Sequence, residues 1–259
     1  DKVLPSGWMG EVYRGSEVHT NIPVAIKAIK PDRAQDKEAE IMFKREASTL
    51  QSLFDETIVR YYNFLKDSSL NRYFLVMEYI EGVQLKDYIT KRDPTLPEGA
   101  MNPLPLDELT LLITRLAGGL AKAHAQEVYH RDLSPDNVML PGGDVRRARI
   151  IDFGIAKSTV QSEGTLEGRF AGKFKYVAPE QLGYFDGRIT AAADIYSLGL
   201  LVAAAAVGKP LEMGTNMADA VNKRREIPDL SQAPRELRPL LSHMLEPDPA
   251  DRPDSMSQV

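Results

Sequence analysis

Two polar stretches beside short apolar runs constrain this chain more than any other feature of its sequence. The first, His-Arg-Asp-Leu-Ser-Pro-Asp-Asn, occupies residues 130–137 and leads into the apolar run Val138–Leu140. The second, Asp-Phe-Gly, occupies residues 152–154 and directly follows Ile150 and Ile151. An Asp beside Arg and Pro is by itself most often part of a turn. The whole set places carboxylates and an amide in loops that flank apolar runs. It therefore indicates a particular kind of site far more specifically than any one of its residues does.

This set resembles the catalytic and metal-binding loops of protein kinases, in both residue types and spacing. Phosphoryl transfer requires a protein mainly to position an alcohol, hold magnesium and screen phosphate charge. The resemblance implies that Asp132 orients the substrate hydroxyl and accepts its proton. It also implies that Asn137 and Asp152 ligate Mg²⁺, which prefers hard oxygen ligands. His130 is then expected to be a packed structural residue, because Asp132 already serves as the base.

Composition narrows the function further. The chain has 259 residues, enough for one large domain or two lobes, and a hydrophobic fraction of 43%, which is ordinary for a globular protein. A formal net charge of −5 argues against nucleic acid or an anionic membrane as the main partner. The absence of cysteine excludes disulfides and a thiol nucleophile, and it fits a reducing, cytoplasmic compartment.

Three observations bear on membrane contact and on the parent protein. The longest apolar run, residues 198–207, is too short to span a bilayer and predicts a buried helix. The sequence opens at Asp1 without a start Met and stops at Val259 inside a helical pattern. We therefore expect an excised domain that makes no membrane contact itself, in a parent protein that carries further domains.

A glycine-containing stretch near the N-terminus predicts a strand, a turn and a second strand at residues 24–29. Gly7 and Gly10 would let backbone amides approach phosphate groups closely. The stretch resembles the Gly-rich loop of kinases, although Pro5 stands in place of the first Gly and stiffens the entry to the loop. A plain hairpin turn remains an alternative interpretation of these residues.

Lys27 lies on the second strand, where alternation places it on the same face as Ala25 and Ile29. A helical pattern over residues 37–54 places Glu46 at the edge of an apolar stripe, where a carboxylate needs a cation. The pair matches the strand-lysine and helix-glutamate pair of kinases, in which the lysine also holds the α- and β-phosphates of ATP. A lysine at the edge of the sheet, with its ammonium in water, is the alternative.

The next predicted strands, residues 58–62 and 73–77, lead into a linker at residues 78–82. The resemblance implies that this linker is the hinge between lobes and that its backbone binds adenine, for instance at Glu78 and Ile80. It further implies that Met77 is the gatekeeper, that Gln84 lies near the ribose, and that the apolar walls are Leu4, Val12, Ala25 and Met139. Ordinary core packing is the alternative for each of these side chains.

The second half of the chain reads as mainly helical, with helices over residues 85–90 and 106–123 and an exposed Pro-rich loop between them. Asp194 lies in an apolar helix and would need hydrogen-bond donors. The resemblance implies that Asp194 braces the backbone of the His-Arg-Asp loop. It also implies that Glu180, of Ala-Pro-Glu, forms a buried pair with Arg252; two unrelated solvated charges are the alternative.

The chain departs from the family at two neighbouring sites. Ser134 replaces the lysine of the usual Asp-Leu-Lys-Pro, and Lys173 replaces the threonine that normally contacts that lysine. We hypothesise that the two groups have exchanged positions, so that Lys173 supplies the cation near the γ-phosphate and Ser134 the hydroxyl. Drift in a weak or inactive kinase is the alternative. Arg131 further suggests control by an anion in the activation segment, residues 152–180. Thr165 is the favoured phosphorylation site, and a permanent charge from Glu167 is the alternative.

The resemblance implies an α+β, two-lobe protein-kinase-like fold, with a β-rich N-lobe over residues 1–80 and a mainly helical C-lobe over residues 81–259. The predicted function is ATP- and Mg²⁺-dependent phosphorylation of Ser and Thr in proteins, including the kinase itself. A nucleotide-binding pseudokinase scaffold is one alternative, motivated by Pro5, Ser134 and Lys173. A small-molecule phosphotransferase is the other, and the Ala-Pro-Glu region and the Asp194 helix disfavour it because they build a platform for protein substrates.

Overall fold

The computed structural model has an α+β architecture, in which a five-stranded antiparallel sheet is followed by a mainly helical part with a small second sheet. It describes residues 3–4, 10–29, 47–70, 72–91, 102–153 and 174–259.

The first sheet contains β1 (Val3–Leu4), β2 (Gly10–Ser16), β3 (Pro23–Ile29), β4 (Tyr61–Asp67) and β5 (Arg72–Glu78), in the order β1-β2-β3-β5-β4. Alternate side chains of β5, namely Tyr73, Leu75 and Met77, are buried. Successive side chains of a strand point to opposite faces, so these three define the covered face of the sheet.

The strand predicted at residues 58–62 begins later than the sequence suggests. Ile58 forms an isolated parallel bridge to Ile150, and the amide of Val59 donates to the Ile150 carbonyl at 2.9 Å. The backbone at residues 57–59 is thus bonded to the second sheet, and β4 starts only at Tyr61. The apolar run at residues 58–59 therefore connects the two parts of the molecule. Its hydrophobicity alone does not show whether it pairs with the first sheet or with the second.

The helix before β4 also differs from its predicted end. Residues 47–52 are helical, and Ala47 and Leu50 are buried as the apolar stripe predicts. Phe54, the last residue of the predicted helical pattern, is 67% exposed because the chain leaves the helix before it. The Arg60 guanidinium lies 5.1 Å from the centroid of the Phe54 ring and covers part of it.

The second part of the chain holds the three-stranded sheet and the longer helices. The strands are β6 (Val83–Gln84), β7 (Val138–Leu140) and β8 (Arg149–Ile150), in the order β6-β7-β8. The helices are α1 (Leu85–Lys91), α2 (Leu106–His124), α3 (Ala191–Val207), α4 (Met217–Lys223) and α5 (Arg238–Met244). Within the described ranges, no helix is long and apolar enough to cross a membrane.

Helix α3 forms the centre of this part, and every residue from Ala193 to Val207 is buried. Its start is capped by the Thr190 side chain, which accepts a hydrogen bond from the Ala192 amide. Its end is Gly208, at φ 81°, where a Cβ atom would come within 2.4 Å of the Asn102 backbone nitrogen. Glycine is therefore required for both the left-handed conformation and the close approach.

The described end of the predicted Pro-rich loop, residues 102–105, is exposed at Pro103 and Pro105, as predicted, but not at Leu104. Leu104 is buried, and its amide donates to the Ala205 carbonyl of α3 at 2.9 Å. Residues 92–101 of that loop lie outside the described residues. Proline marks the absence of regular structure but carries no information about burial, so this contact could not be anticipated from sequence.

Candidate active site

The buried carboxylate of Asp194, on α3, holds the backbone of the loop at residues 130–137 in place. One of its oxygens accepts from the His130 amide at 2.7 Å, and the other accepts from the Arg131 amide at 2.8 Å. The Nε2 atom of His124 lies 2.8 Å from the first of these oxygens. The predicted bracing of the loop by Asp194 is thus confirmed. Burial alone would raise the pKa of Asp194. The interactions of its carboxylate with His124 and His130 have the larger effect, so the pKa of Asp194 is lowered.

His130 connects this loop to the loop that carries Asp152. Its Nδ1 accepts from the Asp132 amide at 3.2 Å, and its Nε2 lies 3.0 Å from the Ile151 carbonyl. Because Nδ1 accepts, the proton belongs on Nε2 and the ring is neutral. Complete burial lowers the pKa of His130, which agrees with this assignment. The prediction that His130 is a packed structural residue is confirmed.

Hydrogen bonds bring the predicted base and the predicted metal ligands together. The Asn137 side-chain NH₂ donates to the Asp132 carbonyl at 2.8 Å, which turns its amide oxygen away from that carbonyl. The Ile151 amide donates to the Asn137 carbonyl at 2.9 Å, so Asp152 follows directly after this link. Arg131 and Asp152 have φ angles of 61° and 63°. Both are non-glycine residues in the left-handed region, a conformation that costs free energy and is typical of functional loops.

Lys27 reaches this group from the five-stranded sheet. Its side chain is 10% exposed, and its ammonium forms an ion pair with the Asp152 carboxylate. Sequence analysis paired Lys27 with Glu46 and did not foresee this contact. Glu46, Gly7 and Lys173 lie outside the described residues, so their predicted roles stay predictions.

The strand register places the predicted nucleotide-contacting side chains of the sheet on one face. Lys27 lies opposite Val12 on one side, and Ala25 lies opposite Met77 on the other. Directly opposed residues of antiparallel strands share a face, and so do residues two apart in one strand. Val12, Ala25, Lys27 and Met77 therefore form one surface. Of the other predicted residues here, Gly10 begins β2, and nothing is described of the side chain of Leu4.

The predicted hinge follows β5 and runs against β7. The Glu78 carboxylate at its start binds the Arg149 guanidinium of β8, with N–O distances of 2.6 and 3.3 Å. Gly82 lies so close to β7 that a Cβ atom would be 2.4 Å from the Leu140 carbonyl oxygen. Half-buried Ile80 packs against the main core between these two points. The side chain of Glu78 is thus engaged with Arg149, and its amide donates to the Arg60 carbonyl at 2.9 Å. The predicted contact of Glu78 with adenine would therefore use its carbonyl group.

Two further predicted residues lie just beyond the hinge. Gln84 pairs with Met139 in the three-stranded sheet. The Gln84 side-chain NH₂ donates to the Asp136 carbonyl of the catalytic loop at 2.9 Å. Gln84 and Met139 therefore lie side by side at the edge where the hinge meets the catalytic loop.

Tyr61 is a site residue that sequence analysis missed. This buried side chain of β4 accepts a hydrogen bond on its hydroxyl oxygen from the Phe153 amide at 3.2 Å. Phe153 is also buried, with its ring 4.7 Å from that of His130. Burial raises the pKa of Tyr61, so its hydroxyl stays protonated. A tyrosine in an apolar strand gives no sequence signal for this contact with the Asp-Phe-Gly loop.

The end of the activation segment is held by two buried arginines. Arg252 forms a two-pronged ion pair with Glu180 at 2.8 and 3.0 Å, which confirms the predicted pair and excludes two solvated charges. Arg224 donates from Nε to the Val177 carbonyl at 2.6 Å. Gln181 donates to the Arg131 carbonyl at 2.8 Å. Arg224, which directly follows α4, and Gln181, in the short helix Pro179–Leu182, were not predicted, because a single arginine or glutamine at such a place usually indicates a solvated face.

A cavity of about 350 Å³ opens beside Asp132. Ser134 shares its wall with Asp132, and helix α1 and the segment at residues 175–177 form other parts of the lining. Ser134 is almost completely buried, at 9% exposure. The predicted base therefore faces a space in which an acceptor group can be held.

A family profile described as the protein kinase domain matches residues 1–259. The serine/threonine-protein kinase PrkC of Bacillus subtilis is 32% identical over 201 residues, which cover 78% of this chain and 29% of PrkC. PknL of Mycobacterium tuberculosis, also a serine/threonine-protein kinase, is 33% identical over 200 residues, which cover 77% of this chain and 46% of PknL.

Among solved structures, the kinase domain of M. tuberculosis PknI superimposes with a TM-score of 0.73 at 26% identity, covering 98% of this chain and 89% of that one. The chain therefore belongs to the protein kinase domain family, as a serine/threonine kinase domain similar to those of bacteria. It spans less than half the length of PrkC and of PknL.

Proposed function

We propose that this domain transfers the γ-phosphoryl group of ATP, with Mg²⁺, to Ser and Thr hydroxyls of proteins. The observation that carries the proposal is the convergence of Lys27, Asp132, Asn137 and Asp152 through direct hydrogen bonds and one ion pair. These residues come from the sheet, the catalytic loop and the segment after β8. Phosphoryl transfer depends mainly on such positioning and on charge.

The residues present fit a nucleotide with its magnesium ion. Asp152 and Asn137 offer a carboxylate and an amide oxygen, the hard donors that Mg²⁺ prefers. Lys27 already lies against Asp152, so its cation is available to a phosphate group next to the metal. Val12, Ala25 and Met77 supply an apolar surface on the same face of the sheet, suited to a base. When bound, Mg²⁺ would screen the charge of the phosphate oxygens.

In this proposal each residue has a defined role. Asp132 accepts the proton of the acceptor hydroxyl and orients that hydroxyl toward the phosphate. Lys27 holds the non-transferred phosphates, and Glu46 pairs with Lys27 when the nucleotide is in place. The backbone of Gly7 and Gly10 covers the phosphates, the backbone at Glu78 and Ile80 holds the adenine, and Gln84 and Met139 border the ribose and the base.

Ser134 and Lys173 complete the proposed catalytic set. Ser134 lines the cavity beside Asp132 and occupies the sequence position of the usual lysine of the family. Lys173 would then provide the missing cation to the γ-phosphate. We further propose lobes over residues 1–80 and 81–259, autophosphorylation, and additional domains in the parent protein, since the relatives are longer than this chain.

Binding and transfer are tested separately. ATP should raise the melting temperature more in the presence of Mg²⁺ than in its absence, because Asp152 would hold the metal and the metal would screen the charge of the phosphates. Asp152→Asn should lose that magnesium-dependent increment, and Lys27→Met should weaken the response to ATP with or without the metal. A matched control is Lys223→Met, an exposed lysine on α4 outside the site. An equal magnesium increment in wild type and Asp152→Asn would contradict the assignment.

A further inference from the structure

The cavity beside Asp132 carries an unbalanced positive charge. Among the residues that the structure describes, the charged part of its lining consists of four cations and two carboxylates: Lys86, Arg131, Lys175, Lys209, Asp132 and Asp136. The Lys86 ammonium donates to the Asp136 carboxylate at 2.8 Å, so these two charges compensate each other. Asp132 is committed to the acceptor hydroxyl under the proposed function. The remaining charge on the wall is positive, whereas the whole chain carries a formal net charge of −5.

Of the remaining cations, Lys175 and Lys209 lie outside the loop that carries Arg131 and Asp132. Both side chains are exposed, and neither forms an ion pair with any residue in the ranges that the structure describes. Lys175 lies in the one-turn helix Phe174–Tyr176, and Lys209 follows the end of α3. Two separate elements thus present an ammonium group to the same cavity as the catalytic carboxylate.

The rest of the lining strengthens the effect of these charges. Ile89, Leu133, Val177 and Pro210 contribute apolar surface to the cavity. Charge lining a cleft with low-dielectric walls produces a stronger field than the same charge on an open surface. A cationic peptide would meet this field and would find the carboxylate of Asp136 already bound to Lys86. An anionic peptide would be attracted by it.

We propose that this cavity selects acceptor peptides with an anionic side chain close to the phosphorylated Ser or Thr, and that Lys175 and Lys209 recognise that anion. This inference rests on the proposed function and specifies its substrate class. The anion is a carboxylate of Asp or Glu, or the phosphate of an acceptor segment that has already been phosphorylated.

A peptide series with one fixed Ser or Thr acceptor tests the inference. Each flanking position in turn carries Glu, phosphoserine, Gln or Lys, and kcat/KM for phosphate transfer is compared among these peptides. Wild type should prefer the best anionic peptide over its Gln counterpart by about 5- to 20-fold, the range for one or two partly exposed charge contacts. The preference should shrink at high salt, since ions screen exposed charges. The ratio of phosphoserine to Glu peptides separates the two sources of the anion.

The variant Lys175→Glu/Lys209→Glu should abolish or reverse this ratio, so that Lys peptides become the better substrates. Lys223→Glu makes the same charge change at one exposed lysine outside the cavity and should keep the wild-type ratio. Each ratio compares the kcat/KM values of two peptides with the same protein preparation. A smaller folded fraction in a variant lowers both values equally and leaves their ratio unchanged. Transfer that is equal for anionic and neutral peptides, or a ratio unchanged by the double reversal, overturns this inference and leaves the proposed function standing. Transfer to none of the peptides overturns both.

Discussion

Arg252 uses all five of its guanidinium N–H donors, and two of them bind the carboxylate of Glu180. The other three donate to the carbonyl groups of Ala192, Glu246 and Pro247 at 2.7–2.9 Å. Both charged side chains are buried. The pair joins residues 72 positions apart and anchors the end of the activation segment to the last part of the domain.

Breaking this pair from one side should destabilise the domain strongly. Glu180→Gln leaves a buried guanidinium without its counter-charge, and Arg252→Met leaves a buried carboxylate, so each should cost about 3–5 kcal/mol in unfolding free energy. The double variant Glu180→Leu/Arg252→Met should cost less than the sum of the single changes, because it leaves no unpaired charge. Urea denaturation measures these values. Arg72→Met, which removes an exposed ion pair with Glu11, is the control and should cost under about 1 kcal/mol. A similarly small cost for Arg252→Met would contradict the account.

His130 should make the stability of the domain dependent on pH near neutrality. Its pKa is lower in the folded chain than the value of about 6.5 that it has when unfolded. The unfolded state therefore binds more protons below pH 6.5, and stability falls as the pH decreases through this value. The contribution of His130 approaches about 1.4 kcal/mol per pH unit below that point. Urea denaturation at pH 7.5 and 5.5 should show a smaller decrease for His130→Gln than for wild type. Equal decreases in the two proteins would contradict a neutral, buried His130.

The ion pair between Glu78 and Arg149 should influence nucleotide affinity. It connects the start of the hinge to β8, and Arg149 also donates to the Ile58 carbonyl at 3.0 Å. Arg149→Met should loosen the hinge and raise KM for ATP about fivefold, as expected from the loss of one partly exposed ion pair. Steady-state kinetics at saturating peptide measures this change. Arg147→Met, at an exposed position two residues earlier, should leave KM for ATP unaltered. A wild-type value for Arg149→Met would show that the pair does not order the hinge.

The proposed exchange of Ser134 and Lys173 makes a two-step prediction. Lys173→Ala should lower kcat about 10²-fold or more, a typical loss when one electrostatic contact to the transition state is removed. The double variant Ser134→Lys/Lys173→Thr restores the usual family arrangement and should recover much of that activity. Radiolabelled phosphate transfer measures both. Unchanged activity in Lys173→Ala would instead indicate that the two positions have drifted without a catalytic role.

Much of the fold and of the site core could be predicted from sequence because function restricts those residue types. Asp132, Asn137 and Asp152 stand at spacings that few other folds require, and the buried Asp194 needed donors that only a neighbouring loop could provide. The structure brings all four together. The apolar run at residues 198–207 predicted a buried helix, and the burial of these residues in α3 confirms this prediction.

The remaining features depend on tertiary contacts that leave little trace in local sequence. Ile58 has the hydrophobicity of a strand residue, yet its backbone bridges to the second sheet. Phe54 continues a helical stripe but lies past the helix and is exposed. Arg149 and Tyr61 become functional through partners far away in the chain. Tertiary packing decides whether the first or last residue of a predicted helix or strand belongs to that element. The local sequence pattern does not encode this packing.

The most direct test of the central claim is phosphate transfer from γ-labelled ATP to a protein substrate, with the modified residues identified by mass spectrometry. Wild type should label Ser or Thr only when Mg²⁺ is present. Asp132→Asn should still show the ATP- and magnesium-dependent thermal shift but lose about 10²–10⁴-fold in transfer rate, the usual contribution of a general base. Nucleotide binding by wild type without any transfer, or transfer at the same rate by Asp132→Asn, would contradict the account.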